Sequence, residues 1–140
     1  MAPASAAFNN FSAKFNAGAI QLVHRVLVAD TQTPVSAFLK LADGDKYCFL
    51  LESVEGGDVR GRFSVIGLRP DLIWRCHNNK AEINRMPGKS DNFVADTLSP
   101  LKSLRRVMAE SEMKDTGNLP PMAAGLFGYF GYDMIRQIET

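Results

Sequence analysis

Four apolar runs between Lys46 and Arg85 limit what this chain can fold into more than any other feature. Lys46 to Val54, Arg62 to Gly67, Asp71 to His77 and Lys80 to Arg85 are each short, rich in β-branched and aromatic residues, and bounded by Gly, Pro, Asn or Asp. The spacing predicts consecutive antiparallel strands, a meander. Asn78-Asn79 sits where a two-residue hairpin turn needs positive φ at both central positions, a conformation that Asn tolerates. Connections this short leave no room for the helical crossovers of a parallel sheet.

Helices flank this region. Phe8, Phe11 and Phe15 recur at three- and four-residue steps, which predicts a short amphipathic helix from Ser5 to about Ala17. Ile20 to Ala29 is rich in β-branched residues and reads as a strand. Capping groups from Asp30 to Thr33 precede Pro34, which opens a helix through Leu41 that Asp43-Gly44 stops. Ser99-Pro100 begins a further helix to about Met113, with Leu101, Leu104, Val107 and Met108 on its expected apolar face. Met86 to Asn92 and Asp115 to Pro121 read as loops, and Asp133 to Glu139 as the start of a helix. The expected fold is α+β, a largely antiparallel sheet with flanking helices.

At 140 residues the chain fits one domain or a piece of a larger protein. Sixteen basic residues against fifteen acidic ones argue against binding nucleic acid or a membrane surface through bulk charge. No apolar run approaches membrane-spanning length, and the amino terminus lacks a secretory pattern. Cys48 and Cys76 lie in apolar stretches without metal-ligand spacing, so a reduced, cytoplasmic protein is expected. His24 and His77 are isolated, Ser53 and Ser64 lack a nucleophile-elbow setting, and Trp74 reads as core. No local pattern supports catalysis by these residues.

The first strand carries the sharpest chemical hint. Tyr47, Phe49, Leu51 and Ser53 fall on one face and Cys48, Leu50 and Glu52 on the other, so both faces are apolar until the last two residues and cover on both sides is expected. A carboxylate at such a strand end must reach water or meet a cation. A ligand ammonium group is one candidate, with Arg60 and Arg62 across the Gly56-Gly57 turn available for its carboxylate. The bland alternative pairs Glu52 with Arg62 across the hairpin and leaves Ser53 to local backbone. In Ala123 to Asp133 the glycines recur every three residues, unlike a dinucleotide-binding loop. A buried strand is expected there, with Gly125, Gly128 and Gly131 admitting close backbone approach.

Taken together, several segments resemble the amino-terminal region of anthranilate synthase component I: Thr33-Pro34-Val35-Ser36-Ala37-Phe38, Leu50-Leu51-Glu52-Ser53, Gly61-Arg62-Phe63-Ser64, and Gly125-Leu126-Phe127-Gly128-Tyr129 with Tyr132-Asp133. The resemblance covers most of the chain and implies membership of the two-layer chorismate-utilising enzyme architecture. It implies a tryptophan feedback site at Leu51, Glu52 and Ser53, with Arg62 and Phe63 as neighbours. It places the chorismate- and magnesium-binding residues in a carboxy-terminal region outside these residues, so the chain by itself is expected to be inactive. It further implies tryptophan, that carboxy-terminal region and a glutamine amidotransferase subunit as partners. Apolar surface along Leu50, Phe127 and Phe130 suggests self-association of the isolated region. The competing readings are an aminodeoxychorismate synthase component I, and a stand-alone amino-acid-sensing or interaction domain.

Overall fold

The computed structural model describes residues 6–52, 63–113 and 119–137. Their contacts fall into two units, one from the residues up to Leu27 together with Met108–Tyr129, the other from Val28–Val107 with the residues from Phe130 onward. The fold is α+β, with antiparallel sheets flanked by helices.

In the first unit, α1 spans Ala6–Asn16 and brings its three phenylalanines together as the spacing predicts. Phe8 and Phe11 have ring centroids 6.5 Å apart, and Phe11 and Phe15 stack at 5.9 Å. All three rings are solvent-exposed. Gly18 ends the helix at φ 70°, a left-handed conformation that glycine adopts without a Cβ penalty. Its N–H reaches the Phe15 carbonyl while that of Ala19 reaches Lys14, which satisfies two carbonyls of the last turn. Ile20 to Ala29, expected as a strand, has no regular secondary structure, and Val23, Val26 and Val28 are exposed. A β-branched composition favours strands only where a partner supplies the ladder.

The second unit begins with α2, Pro34–Leu41. Thr33 Oγ1 accepts the Ser36 N–H at 3.1 Å, and Ser36 Oγ accepts the Thr33 N–H at 3.0 Å, a reciprocal cap that fixes where the helix starts. This helix packs on a hairpin of β1 (Cys48–Glu52) and β2 (Ser64–Leu68), paired from Cys48↔Leu68 to Glu52↔Ser64. Phe49 faces Gly67 in that register, and its ring occupies the space where a Gly67 Cβ would stand.

The expected single meander is instead two sheets. After β2, Arg69 takes φ 49° ahead of Pro70, which has no N–H to donate, so the chain leaves the first sheet. β3 (Ile73–His77), β4 (Lys80–Asn84) and β5 (Val94–Ala95) form the second sheet, with β4 central. Asn78 and Asn79 turn the β3–β4 hairpin at φ 47° and 61°, as the sequence predicts. Ala81 and Ile83 of β4 are buried, as is Val107 of α3, Pro100–Glu110.

The buried face of α3 is turned by one residue from the expected stripe. Pro100, Ser103 and Val107 are buried, whereas Leu101 and Leu104 are half-buried and Met108 is exposed. Polar bonding sets this rotation. Trp74 Nε1–H donates to Ser103 Oγ at 2.9 Å, and the Ser103 hydroxyl donates to Asp96 Oδ2 at 2.6 Å. Arg106 Nη2 donates to the same oxygen at 2.6 Å, and the Leu98 N–H to Oδ1 at 3.1 Å. The Asp96 side chain is only 4% exposed, so its charge requires these donors. Those bonds, the Ser103 hydroxyl first, then the Leu98 amide and the Arg106 charge, hold its carboxyl below the ordinary 3.8.

The Ala123–Asp133 segment is not a buried strand. A single 3-10 turn covers Pro121–Ala123 and a two-turn 3-10 helix Tyr132–Gln137, with irregular backbone between them. A Cβ on Gly128 or Gly131 would meet only open space, so the close backbone approach expected there is absent. Phe127 and Phe130 are exposed, while Leu50 is half-buried.

Two outcomes follow from this packing. Gly67→Ala should displace the Phe49 ring and destabilise the fold by about 1–3 kcal/mol in denaturant titration, whereas Gly88→Ala, where a Cβ meets open space, should cost far less. Because the folded-state pKa of Asp96 is lowered, its stabilisation is complete above about 3.8 and is lost as pH falls through the lowered value. Asp96→Asn should therefore lower the melting temperature at neutral pH and remove part of the acid-induced loss, followed by fluorescence of Trp74, the sole tryptophan.

Candidate functional site at the hairpin mouth

Three of the residues expected to form a ligand site, Leu51, Glu52 and Phe63, lie at the end of β1–β2 towards the connection between the strands. Glu52 closes β1 and pairs with Ser64, the first residue of β2, in the last described rung of the ladder. Leu51 precedes it and Phe63 precedes Ser64, each 51% exposed, and Glu52 is exposed as well. The described part of the mouth thus offers a carboxylate, a hydroxyl and two accessible apolar side chains within a few residues of both strands. Ser53 and Arg62 lie outside the described residues, as do Arg60 and the Gly56-Gly57 turn.

Burial along β1 refines the expectation of cover on both faces. Cys48, Phe49 and Leu50 are half-buried, whereas Leu51 and Glu52 are exposed. The base of the hairpin is therefore packed, and the last two residues of β1 are accessible. An exposed carboxylate of this kind takes a cationic partner from solution without the cost of leaving a charge buried and unpaired.

The base is held by polar contacts that the sequence reading did not single out. Asp45, just before β1, meets Arg69, just after β2, with Nε 3.1 Å from Oδ2 and 3.3 Å from Oδ1. Asp91, in the β4–β5 connection, accepts from Lys46 Nζ on Oδ2 at 2.5 Å and from the Tyr47 hydroxyl on Oδ1 at 3.0 Å. The Lys46 hydrogen bond and then the Tyr47 hydroxyl lower the Asp91 pKa, and the bond to Asp91 raises that of Lys46. The partners are 44 and 45 residues apart, so no local pattern signals them.

A separate open groove of about 400 Å³ runs beside β4, β5 and α3, lined by Ile83, Met86, Val94, Ala95 and Arg106 among others. Its walls are mainly apolar, and Arg106 is bound to Asp96. Trp74 contributes to the packing of α3 through its bond to Ser103, in keeping with a structural role. Cys48 and Cys76 are free thiols. Among the described residues no three His, Cys, Asp or Glu side chains cluster as metal ligands, and no helix is long and apolar enough to cross a membrane.

Comparison with known proteins gives a consistent result. No family model and no solved structure matches the chain. Curated relatives do match, and each of the following is named anthranilate synthase component 1. The protein of Cereibacter sphaeroides is 49% identical over 134 residues, which is 94% of this chain and 27% of the relative. That of Acetivibrio thermocellus is 37% identical over 112 residues, 80% of this chain and 22% of the relative. That of Synechocystis is 34% identical over 135 residues, 96% of this chain and 26% of the relative. The chain spans about a quarter of the length of these relatives, and the match lies in their amino-terminal part. Its sequence therefore identifies the chain as a relative of the amino-terminal region of anthranilate synthase component 1.

Proposed function

We propose that the chain is the tryptophan-sensing region of an anthranilate synthase large subunit, and that the hairpin mouth is its sensing site. The observation that carries this reading is the placement of Glu52, the acid of Leu50-Leu51-Glu52-Ser53, on exposed backbone opposite Ser64 and beside Leu51 and Phe63. An amino acid carries an ammonium group, a carboxylate and a side chain. Glu52 accepts a charge-assisted hydrogen bond from the ammonium group, and Ser64 offers a hydroxyl that can donate or accept. Leu51 and Phe63 present apolar surface suited to an indole, which gains from burial against an aromatic ring. Ser53 and Arg62 complete the site in this reading, the guanidinium answering the ligand carboxylate.

In the same reading the longer polypeptide converts chorismate and ammonia to anthranilate and pyruvate in the cytoplasm, the ammonia coming from a glutamine amidotransferase partner. In this reading the magnesium and the reacting groups belong to the rest of that polypeptide. Tryptophan acts by favouring one of two arrangements of the enzyme, and only through its difference in affinity for them. The exposed Phe127 and Phe130 are apolar surface through which the isolated region would self-associate.

The test uses the full-length enzyme, with anthranilate fluorescence followed across a tryptophan titration. Glu52→Gln should raise the tryptophan concentration for half-inhibition by about tenfold or more, the scale of one lost charge-assisted bond. Ser53→Phe should relieve inhibition in the same way, and both variants should keep their turnover in the absence of tryptophan. Unaltered sensitivity in both would refute the site.

A further inference from the structure

The hairpin mouth stands at one end of β1, and at its other end Asp91 ties the two residues that lead into the strand to the second sheet, beside the Asp45–Arg69 pair. From Cys48 to Glu52, β1 extends about 13 Å at roughly 3.3 Å per residue. A tilt of about 5° at the base of the strand therefore displaces the mouth by about 1 Å at that strand rise. A shift of this size is large against the reach of a hydrogen bond, which weakens steeply with distance and angle.

Asp91 sits where such a tilt is resisted. Its two oxygens take different donors, Lys46 Nζ and the Tyr47 hydroxyl, from the two residues that lead into β1. The connection bearing Asp91 is itself fixed to the second sheet through Asn84, whose side chain is buried. Asn84 Nδ2 donates to the Ser90 carbonyl at 2.7 Å, and its Oδ1 accepts the Met86 N–H at 2.9 Å. Two residues beyond Asp91, Phe93 lies under the Arg75 guanidinium at 3.6 Å, and Arg75 is also paired with Glu82 of β4 at 2.8 Å. The connection is thus held on both sides of Asp91 by β3 and β4.

We infer that Asp91 is a positioning residue for the amino-acid site, setting the angle at which β1 presents Glu52 relative to the β3–β5 sheet. The inference rests on the reading of the mouth as a tryptophan site. Lys46 and Asp91 are both largely exposed, so their pair adds little to overall stability. Variants at these positions should therefore fold normally, and a change in ligand response can be read without general damage.

The experiment measures, in the full-length enzyme, the inhibition constant for tryptophan alongside kcat and KM for chorismate. Asp91→Ala should weaken inhibition by roughly 5-fold or more, with kcat and KM close to wild type. Tyr47→Phe, which removes one of the two donors, should give a smaller loss, and Asp91→Glu should recover part of it. Lys46→Ala combined with Asp91→Ala should be no worse than Asp91→Ala, since both remove the same contact. Unchanged inhibition in Asp91→Ala, or a fall in kcat matching the loss of inhibition, overturns the inference while leaving the site assignment standing. A wild-type enzyme indifferent to tryptophan overturns both.

Discussion

The Asp96 carboxylate is the constraint around which the second unit is organised. A nearly buried anion between a sheet and a helix is tolerable only when its oxygens are bonded, and here all three donors come from α3 and the residues just before it. The Leu98 amide and Arg106 belong to the approach and body of α3, and Ser103 passes the connection on to Trp74 of β3. Satisfying that one charge fixes the rotation of α3, the depth at which it lies and the placement of the large indole beside it. Among the described residues the fully buried apolar core is Ala81, Ile83 and Val107, and this polar chain adds specificity to their packing.

The hairpin follows a different logic. β1 and β2 form only a two-stranded ladder, an arrangement that is marginal in isolation, and they depend on α2 across one face and on the Phe49 ring lying over Gly67. The tight packing of Phe49 on Gly67 and the ion pairs lie towards the base, and towards the opposite end Leu51, Glu52 and Phe63 are exposed. Stability at one end and accessibility at the other suits the proposed amino-acid site, because a ligand must find its groups free and yet held in place.

Much of the fold could be read from local chemistry. The Thr33 and Ser36 cap, the Asn78-Asn79 turn and the three-phenylalanine face of α1 each depend on residues close in sequence, and each formed as its pattern implies. Ile20 to Ala29 shows the limit, since strand propensity is realised only by a hydrogen-bonding neighbour that the segment itself does not specify. The Gly125–Gly131 segment fails for a related reason, its aromatic composition suggesting burial that nothing in its own sequence supplies. Of the residues of the proposed site, Glu52 stands out in the sequence as a polar interruption of an apolar strand, whereas Leu51 and Phe63 come from the family resemblance. Asp91 was legible in neither way, because its partners lie more than forty residues away.

By itself the sequence determined the identity of the local elements, the antiparallel α+β character and kinship with the amino-terminal region of anthranilate synthase component 1, since these rest on capping groups, turn residues and matched segments. Tertiary structure alone decided that the strands divide into two sheets at Arg69 and Pro70, that α3 turns Ser103 inward, and that Lys46 and Tyr47 grip Asp91. The physical reason is the same in each case. A buried or bridging polar group chooses its partner by distance in space, which a linear pattern of hydrophobicity does not encode.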